Sequence, residues 1–381
     1  MMFKFFPYIF KTLWRHRSRT LLTVSGSAIA LFVFCFVGSV QEGMHAIYRQ
    51  QGAQRSLIAF QANKFCPATS NLPQDYEQKI SRLDGVRQVV PIQVFTNNCR
   101  ASLDVVVFYG VPPQKLRPAR DFILKSGSWD AFENHQDAAI VGRAVARRRN
   151  LKKGSKFSIG DLSVNVAGIY ESSDPAEENY IYSHLEFLQR SKGKNRVGTV
   201  TQFEILLADG VDPDTKSAQI DQLFHGGPVE TDTRPKGVFQ ARSLGDLAEL
   251  IAMAHYLSYA CVGLVLALVA TTTVMSVQDR IREHALLQTI GFSGLRVFSL
   301  VVIESVVLGV SGGIIGVGLA MLLLKWSTLS VGAEAVTIAF TPSLHLALWG
   351  LLIALISGLL AGCLPGWLDA RAEIVSALRA V

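Results

Sequence analysis

Four long apolar stretches alternate with polar blocks along the chain, and they occupy residues 21–41, 251–275, 297–324 and 344–365. Each stretch is long enough to cross about 30 Å of hydrocarbon as an α-helix, which needs roughly 20 apolar residues. The pattern therefore predicts four transmembrane helices. The polar block between the first two, residues 42–250, is long enough to bury a core of its own.

The block 42–250 has the pattern of a mixed α and β domain. Runs rich in β-branched and aromatic residues predict strands at residues 86–95, 102–111 and 200–210, and a two-stranded hairpin over 154–172. A capped helix is expected over residues 212–224, and the Gly- and Pro-rich residues 225–237 are expected to form a loop. The predicted fold class is a membrane protein with four transmembrane α-helices and a large α+β extracytoplasmic domain inserted between helices 1 and 2.

Basic residues cluster at the ends of these helices and set the predicted orientation. Residues 1–20 carry five Lys and Arg, and no acidic residue precedes Glu42. The segment 276–296 adds three arginines, whereas residues 326–343 contain no Lys or Arg. The excess of cations on cytoplasmic flanks places both termini and the 276–296 segment in the cytoplasm, and the 42–250 domain outside.

The flanking segments complete the predicted organisation. Residues 1–20 are expected to form a basic amphipathic helix in the cytoplasmic interface, and residues 366–381 a cytoplasmic tail. Residues 325–343 are expected to form an extracytoplasmic loop. The residues 28–30 resemble a signal cleavage site, but the apolar run continues well beyond them, which favours an uncleaved anchor.

Composition and motifs exclude several classes of protein. The 381 residues carry a net charge of +7, and because much of this charge lies at span ends, membrane lipid head groups explain it better than a nucleic acid does. No GxxxxGK[ST] or HExxH pattern occurs, and no metal-ligand spacing is found. We therefore expect no enzyme activity, cofactor or metal in this chain. Cys66 and Cys99 both fall in the external domain and can pair as a disulfide if that compartment is oxidising.

Residues 276–295, SVQDRIREHALLQTIGFSGL, form a charged helical segment between the second and third predicted spans. Its apolar residues lie on two sides of the helix rather than in one stripe, with Val277 and Ile281 on one side and Leu286 and Ile290 on the other. A helix that rests only on lipid has a single apolar face. The pattern therefore indicates two contacts, one with the membrane side and one with a cytosolic protein.

This segment resembles the cytoplasmic coupling region of FtsX/MacB-type ABC transporter permeases, whose pattern reads S-V-x-E-R-x-R-E-I-G-x-L-R-A-x-G. The matching positions are Ser276, Val277, Asp279, Arg280, Arg282, Glu283, Leu287 and Gly291. The sequence departs from the pattern at His284, Ala285 and Gln288, which are candidates for encoding partner choice. Residues 126–171 are similar to the middle of a MacB-like periplasmic core domain, and residues 304–320 and 365–380 to the family's third span and tail.

The resemblance implies a permease subunit of the four-span, mechanotransmission type (type VII ABC systems) in a bacterial cytoplasmic, or inner, membrane. It implies two copies of a separate cytoplasmic ATPase, which bind ATP and Mg, and a second permease chain, most economically in a homodimer. The coupling residues implied are Asp279, Arg280, Arg282, Glu283, Leu287 and Gly291. A periplasmic membrane-fusion adaptor is a further partner that the family uses.

The sequence leaves three functions open for such a permease. It can export or extract a substrate, regulate an extracytoplasmic enzyme as FtsX does, or release lipoproteins like the LolC/LolE group. No residue discriminates among them.

Intramembrane residues add further candidates. Glu304 lies about two turns into the third span, where an ionised side chain is costly unless it has a partner. We expect a coupling or packing role for it rather than substrate binding. Gly309, Gly313 and Gly316 are spaced so that another helix can approach closely. In the external domain, the acidic run 171–179 is most simply a solvated loop, with a partner contact as the alternative.

Overall fold

The structure is a computed structural model that describes residues 11, 14–49, 55–64, 67–97, 105–191, 196–326, 330–333, 336–340 and 342–371. Cys66 and Cys99 lie outside the described residues, as do 1–10 of the N-terminal segment and 372–381 of the tail. The chain divides into two compact units. The helical unit comprises Met1–Ser39, Ile251–Ser327 and Pro342–Val381, and the inserted domain comprises Val40–Leu250 and Thr328–Thr341.

In chain order, the helices and strands are α1 (Arg17–Arg49), β1 (Ser56–Gln61), β2 (Leu72–Pro73), α2 (Tyr76–Ile80), β3 (Val86–Thr96), β4 (Val107–Val111), α3 (Pro113–Ala119), β5 (Phe122–Gly127), α4 (Trp129–Glu133), β6 (Ala138–Gly142), α5 (Arg143–Arg148), β7 (Lys156–Ile159), β8 (Leu162–Ser172), β9 (Tyr180–His184), α6 (Leu185–Ser191), β10 (Thr199–Val200), β11 (Gln202–Leu207), α7 (Pro213–Phe224), β12 (Thr231–Pro235), α8 (Lys236–Ser243), α9 (Gly245–Thr289), α10 (Gly294–Trp326), β13 (Ser330–Ala333), β14 (Val336–Ala339) and α11 (Leu344–Ala370).

The inserted domain is built on one mixed sheet. Within the described residues this sheet has ten strands in the order β12-β1-β11-β3-β4-β9-β6-β8-β5, with β7 paired to β8. Most neighbours are antiparallel, whereas β4 with β9 and β6 with β8 are parallel. The predicted hairpin over 154–172 is confirmed as β7 and β8, with Gly160 at the turn in a left-handed conformation (φ +56°).

Side-chain alternation along the strands sends apolar residues to both faces of the sheet. In β3, Val90, Ile92 and Val94 belong to one hydrophobic cluster, while Val89 belongs to another on the opposite face. This follows from the two-residue period of a strand. Short helices cover the faces, and α6 packs so closely on β4 that a Cβ at Gly110 would lie 2.9 Å from the Leu188 side chain.

Two expectations for the inserted domain are wrong. Residues 225–237 contain a strand, β12, which pairs with β1 at the edge of the sheet, where Pro235 removes no needed hydrogen bond. The acidic run 171–179 is only partly solvated: Ser173 and Pro175 are exposed, but Glu178 and Asn179 are buried and Glu177 forms an ion pair with Arg120. Composition alone does not show long-range partners of this kind.

Four helices of the described chain are long and apolar enough to cross a membrane: Arg17–Gly43 in α1, Ala252–Thr289 in α9, and the whole of α10 and α11. The inserted domain lies between the first and second of them, as predicted. The helix α9 runs without a break through the charged segment, since no Gly or Pro occurs between Gly263 and Gly291. The segment is thus not a separate helix between two spans.

Two other boundaries also differ from the sequence pattern. The helix α11 continues through Pro365 to Ala370, so that Asp369 is helical rather than part of the tail. Residues 325–343 are not only a loop, because β13 and β14 form an antiparallel hairpin within them. In this hairpin, Val331 pairs with Ile338 and Ser330 pairs with Ala339.

Candidate functional site

The last four turns of α9, residues 276–289, have one face turned into the helical unit and one face exposed. We call these residues the α9 extension. Ser276, Arg280 and His284 are four residues apart and all are buried, with Arg280 only 4% exposed. Because residues at i and i+4 lie on one side of a helix, they form a continuous polar stripe that faces the neighbouring helices.

The centre of this stripe is an ion pair between α9 and α10. Arg280 Nη1 donates to Glu304 Oε2 at 2.9 Å, and Ser276 Oγ donates to Glu304 Oε1 at the same distance. Both ionised side chains are almost completely buried. Removing two charges from water is costly unless they are paired and hydrogen-bonded, so the pair strongly favours this one alignment of the two helices.

One turn further along, a second buried pair joins α9 to α11. His284 Nδ1 lies 2.5 Å from Asp369 Oδ2, and both side chains are at most 3% exposed. His284 is one of the departures from the family pattern. Its burial, and that of Ala285, removes both residues from any partner surface. They contribute instead to the packing inside the helical unit, which corrects the expectation that they encode partner choice.

Hydroxyl pairs continue the polar stripe into the apolar part of the bundle. The Thr273 and Ser305 hydroxyls are 2.9 Å apart between α9 and α10. The Thr272 and Thr23 hydroxyls are also 2.9 Å apart, between α9 and α1. Each threonine hydroxyl has a single hydrogen, for which both the paired hydroxyl and the carbonyl four residues earlier in its own helix are acceptors, so no polar hydrogen faces hydrocarbon alone.

The N-terminal part of α1 contacts the same extension through charges at its surface. Arg19 Nη1 donates to Asp279 Oδ2 at 2.7 Å, and Arg15 Nη1 lies 3.8 Å from Glu283 Oε1. These are partly exposed pairs, which contribute at most about 1 kcal/mol each. Together with the buried pairs, they give the extension a contact with each of the other three long helices.

The opposite side of the extension is open. Leu286, Ile290 and Leu295 are 52%, 77% and 78% exposed, and Arg282 is exposed beside them. We call these four residues the outer patch. An exposed group of large apolar side chains is typical of a surface that contacts a protein or a membrane.

Gly291 ends α9 and turns the chain toward α10. Its φ is +100°, a conformation that side chains other than that of glycine rarely adopt. Its N–H donates to the Gln288 carbonyl, and the Phe292 N–H donates to the Leu287 carbonyl. This is the hydrogen-bond pattern of a glycine-terminated helix, in which Gly291 is the C-terminal cap. The turn fixes the direction of α10, whose second residue is Leu295.

The glycines of α10 allow two different helices to come close. A Cβ at Gly309 or Gly313 would meet Ala354 of α11 at 3.0 and 2.6 Å. A Cβ at Gly316 would lie 2.2 Å from the Ala28 carbonyl oxygen of α1. The helix α10 is therefore packed backbone to backbone on two sides, which is how small residues join helices in a membrane.

The six residues assigned to coupling from the sequence thus have different positions. Asp279, Arg280 and Glu283 take part in ties within the helical unit. Arg282 is on the outer patch, Leu287 is half-buried and Gly291 caps α9. Sequence reasoning missed the His284–Asp369 pair and the stripe to which it belongs. The signal was available in the spacing of Ser276, Arg280 and His284, which is four residues each time.

Comparison with known families places both parts of the chain. Residues 20–223 match the MacB-like periplasmic core domain, and residues 256–374 match the FtsX-like permease C-terminal domain. An uncharacterised ABC transporter permease of Methanocaldococcus jannaschii is 22% identical over 383 aligned positions, which cover 96% of this chain and 94% of that protein.

Two of the solved structures with some likeness to the chain are a periplasmic region and an extracellular domain. The periplasmic region of MacB from Actinobacillus actinomycetemcomitans is 13% identical, with a TM-score of 0.38, and covers 51% of this chain and 96% of its own. The extracellular domain of the noncanonic ABC-type transporter YknZ from Gram-positive bacteria is 14% identical, with a TM-score of 0.35, and covers 47% of this chain and 99% of its own.

Proposed function

Because the chain belongs to the FtsX/MacB-like family of ABC transporter permeases, we propose that it couples a separate ATPase to movement of its inserted domain. The substrate is then exported or extracted on the side of the inserted domain. The ATPase binds ATP and Mg, and this chain supplies neither a nucleotide site nor a hydrolytic residue. Two permease chains, most simply identical, work with two ATPase chains.

The observation that carries this proposal is the two-sided α9 extension. Its outer patch is exposed, while its inner stripe is tied to α10 by Glu304 and to α11 by Asp369. An unbroken helix cannot bend easily at this point, since Gly and Pro are absent from it for more than seven turns before Gly291. A displacement of the patch therefore moves α9, α10 and α11 together.

The energy for such a movement has to come from the ATPase. A ligand shifts a two-state equilibrium only by the difference between its affinities for the two states. The ATP-bound dimer of the partner must therefore bind one arrangement of the outer patch more tightly than the other. The buried ion pairs hold the extension to α10 and α11. The difference in binding free energy therefore acts on all three helices, and it is not spent on bending the extension alone.

The proposed function includes an orientation of the chain in the membrane. The outer patch faces the cytoplasm, because the basic flanks at 1–20 and 276–296 favour the cytoplasmic side. Both termini are cytoplasmic, the membrane is the bacterial inner membrane, and the inserted domain is outside, where a membrane-fusion adaptor can reach it. Anionic lipid head groups contact the basic flanks.

Two substitutions that place an acidic side chain on the outer patch test the proposal. Arg282→Glu and Ile290→Asp are each expected to lower co-purification of an ABC ATPase at least tenfold, together with its ATP hydrolysis in the complex. Lys325→Glu is the matched control, because Lys325 is an exposed cation at the other end of α10. It should leave the complex intact. Full binding by the Arg282→Glu variant, or no ABC ATPase with the wild-type chain, would refute the proposal.

A further inference from the structure

The hairpin β13–β14 joins α10 to α11, yet it belongs to the compact unit of the inserted domain. We propose that this hairpin is a second mechanical link, which passes movement of α10 and α11 into the inserted domain at the turn 176–180. Thr337 and Tyr180 are its positioning residues. The inference rests on the proposed function, and it assigns a role to a segment that the sequence pattern left as a connecting loop.

The hairpin is docked by two hydrogen bonds from a single residue. The Thr337 N–H donates to the Tyr180 hydroxyl oxygen at 3.3 Å, and Thr337 Oγ1 donates to the Ala176 carbonyl at 3.0 Å. Thr337 is 1% exposed, and Val336 and Ile338 on either side of it are buried as well. A strand that hides three successive residues is part of the core, because an exposed hairpin would bury only one face.

The turn that receives the hairpin is itself held from several directions. Glu177 Oε1 lies 3.1 Å from Arg120 Nε, and its backbone carbonyl accepts from the Tyr170 hydroxyl at 2.6 Å. Glu178 Oε2 lies 3.3 Å from Arg143 Nε. Charge-assisted bonds that are largely excluded from water resist displacement more than exposed pairs do. The turn 176–180 is therefore a rigid contact site for Thr337.

The turn 176–180 is connected to the middle of the sheet. Arg120 also forms an ion pair with Glu204 in β11, and Lys236 Nζ lies 3.0 Å from the other oxygen of Glu204. Tyr180 is the first residue of β9, which lies between β4 and β6. Burial raises the pKa of Tyr180 to about 12, so its hydroxyl stays neutral and available to Thr337 at any physiological pH. A pull on Thr337 thus acts on a central strand.

The other side of the hairpin is fixed against α1. A Cβ at Gly43 would lie 2.7 Å from both the Ala339 carbonyl oxygen and Ile338 Cγ2. Only a glycine permits this approach, since real Cβ contacts are essentially never closer than about 3.0 Å. The hairpin is therefore held between the turn 176–180 and the helix backbone at Gly43, and it has little room to shift within its unit.

The segments that connect the hairpin to α10 and to α11 are short. Three residues separate Trp326, the end of α10, from Ser330, and four separate Ala339 from Leu344, the start of α11. A chain spans at most about 3.5 Å per residue, so neither helix can move far without moving the hairpin. The inserted domain would then receive motion both through α1 and α9, which lead directly into it, and through the hairpin.

The test uses the full chain in lipid nanodiscs with the ABC ATPase that co-purifies with it. Tyr180→Phe removes the acceptor of the Thr337 N–H, and Gly43→Ala displaces the Ala339 backbone. Gly318→Ala is the matched control, because no atom lies within 4 Å of a Cβ at that position. Hydrogen exchange of residues 330–340, measured without nucleotide, is expected to rise at least fivefold in the first two variants and to stay unchanged in the control.

The same samples give the functional readout. Exchange in β9 is measured before and after trapping with ATP and vanadate, and we expect the nucleotide-driven change to fall at least threefold in Tyr180→Phe and Gly43→Ala while ATPase binding is kept. A disulfide between Ala176→Cys and Thr337→Cys, built in a Tyr180→Phe chain whose five natural cysteines are replaced by Ala, should restore the change. Reduction of that disulfide should abolish it again.

The possible failures are distinguishable. Equal nucleotide-driven change in the wild type and in both weakened variants would overturn the link and leave the proposed function standing. Loss of the response on forming the disulfide would overturn it too, because a rigid link must stay docked throughout the cycle. A wild-type chain that binds no ATPase would refute the proposed function, and the link with it.

Discussion

Removing the carboxylate of Glu304 is expected to destabilise the helical unit much more than removing an exposed charge from the same surface. Glu304→Met removes the buried counter-charge of the Arg280 guanidinium, which keeps its ion pair with the partly exposed Glu283, and it deletes two hydrogen bonds of 2.9 Å. Hydrogen bonds to charged groups contribute about 1.5–3 kcal/mol each. Breaking a buried pair by removing one partner costs about 3–5 kcal/mol. Two such hydrogen bonds give a similar total, and we therefore expect Glu304→Met to lower the free energy of unfolding by about 3–5 kcal/mol.

The double variant Arg280→Met/Glu304→Met separates pairing from packing. It removes both charges and keeps similar volumes, and such replacements are often neutral or stabilising by about 1–4 kcal/mol. We therefore expect the double variant to recover most or all of the stability that Glu304→Met loses. Arg282→Met serves as the control, because Arg282 is exposed on the same helix and surface changes of this kind usually stay within about 0.5 kcal/mol.

The assay is thermal unfolding of the full chain in one detergent, followed by loss of the monodisperse peak on size-exclusion chromatography. A loss of about 3–5 kcal/mol corresponds to a fall in the midpoint of roughly 6–20 °C for a unit of this size. Two results would refute the reasoning. The first is a Glu304→Met variant as stable as Arg282→Met, and the second is a double variant no more stable than Glu304→Met alone.

Three further predictions concern other contacts. His284→Ala should lower the unfolding midpoint, because Asp369 is then buried without its partner, whereas His284→Ile/Asp369→Leu should recover it; a double variant no better than the single one would contradict the pairing. Gly316→Ala should cost about 1–3 kcal/mol of stability because its Cβ would overlap the Ala28 carbonyl, and Gly318→Ala, with open space, should cost far less in the same thermal assay. In the inserted domain, burial opposes ionisation of Glu204, but Arg120 and Lys236 outweigh burial and lower the pKa of Glu204 from 4.5 to about 2. Since the folded-state pKa is the lower one, up to about 3 kcal/mol of stability is present above pH 4.5 and is lost as pH falls toward 2. A Glu204→Gln variant should lack that part of the acid dependence of the unfolding free energy.

The parts of the fold that depend on local pattern were predictable from the sequence. Four apolar runs gave four long helices, because hydrocarbon thickness sets the length of a span whatever its neighbours are. The hairpin at Gly160 followed from the alternation on both sides of a turn pair. The edge strand β12 was missed because Asp, Thr and Pro carry little strand preference, and its pairing with β1 overrides that preference.

The candidate site was predictable only in part, since its ties join residues far apart in the chain. Glu304 was recognised as costly in a membrane, but its partner was assigned to docking and not to pairing. Asp369 was assigned to a tail, because the fourth apolar run ends near residue 365, whereas the helix continues to Ala370. Glu178 was assigned to a solvated loop, although Arg143 pairs with it from 35 residues away. In each case the decisive neighbour is brought in by the tertiary fold.

In the coupling that we propose, the continuity of α9 limits the size of the movement that the ATPase would have to produce. A helix of 45 residues is about 67 Å long, more than twice the thickness of the hydrocarbon core. A stiff rod of this length works as a lever with its fulcrum in the membrane. A tilt of only about 5° carries each end sideways by about 3 Å, in opposite directions. The partner then needs to supply a short lateral push, with no stretching or unwinding of the rod, for Gly245 at the far end to swing.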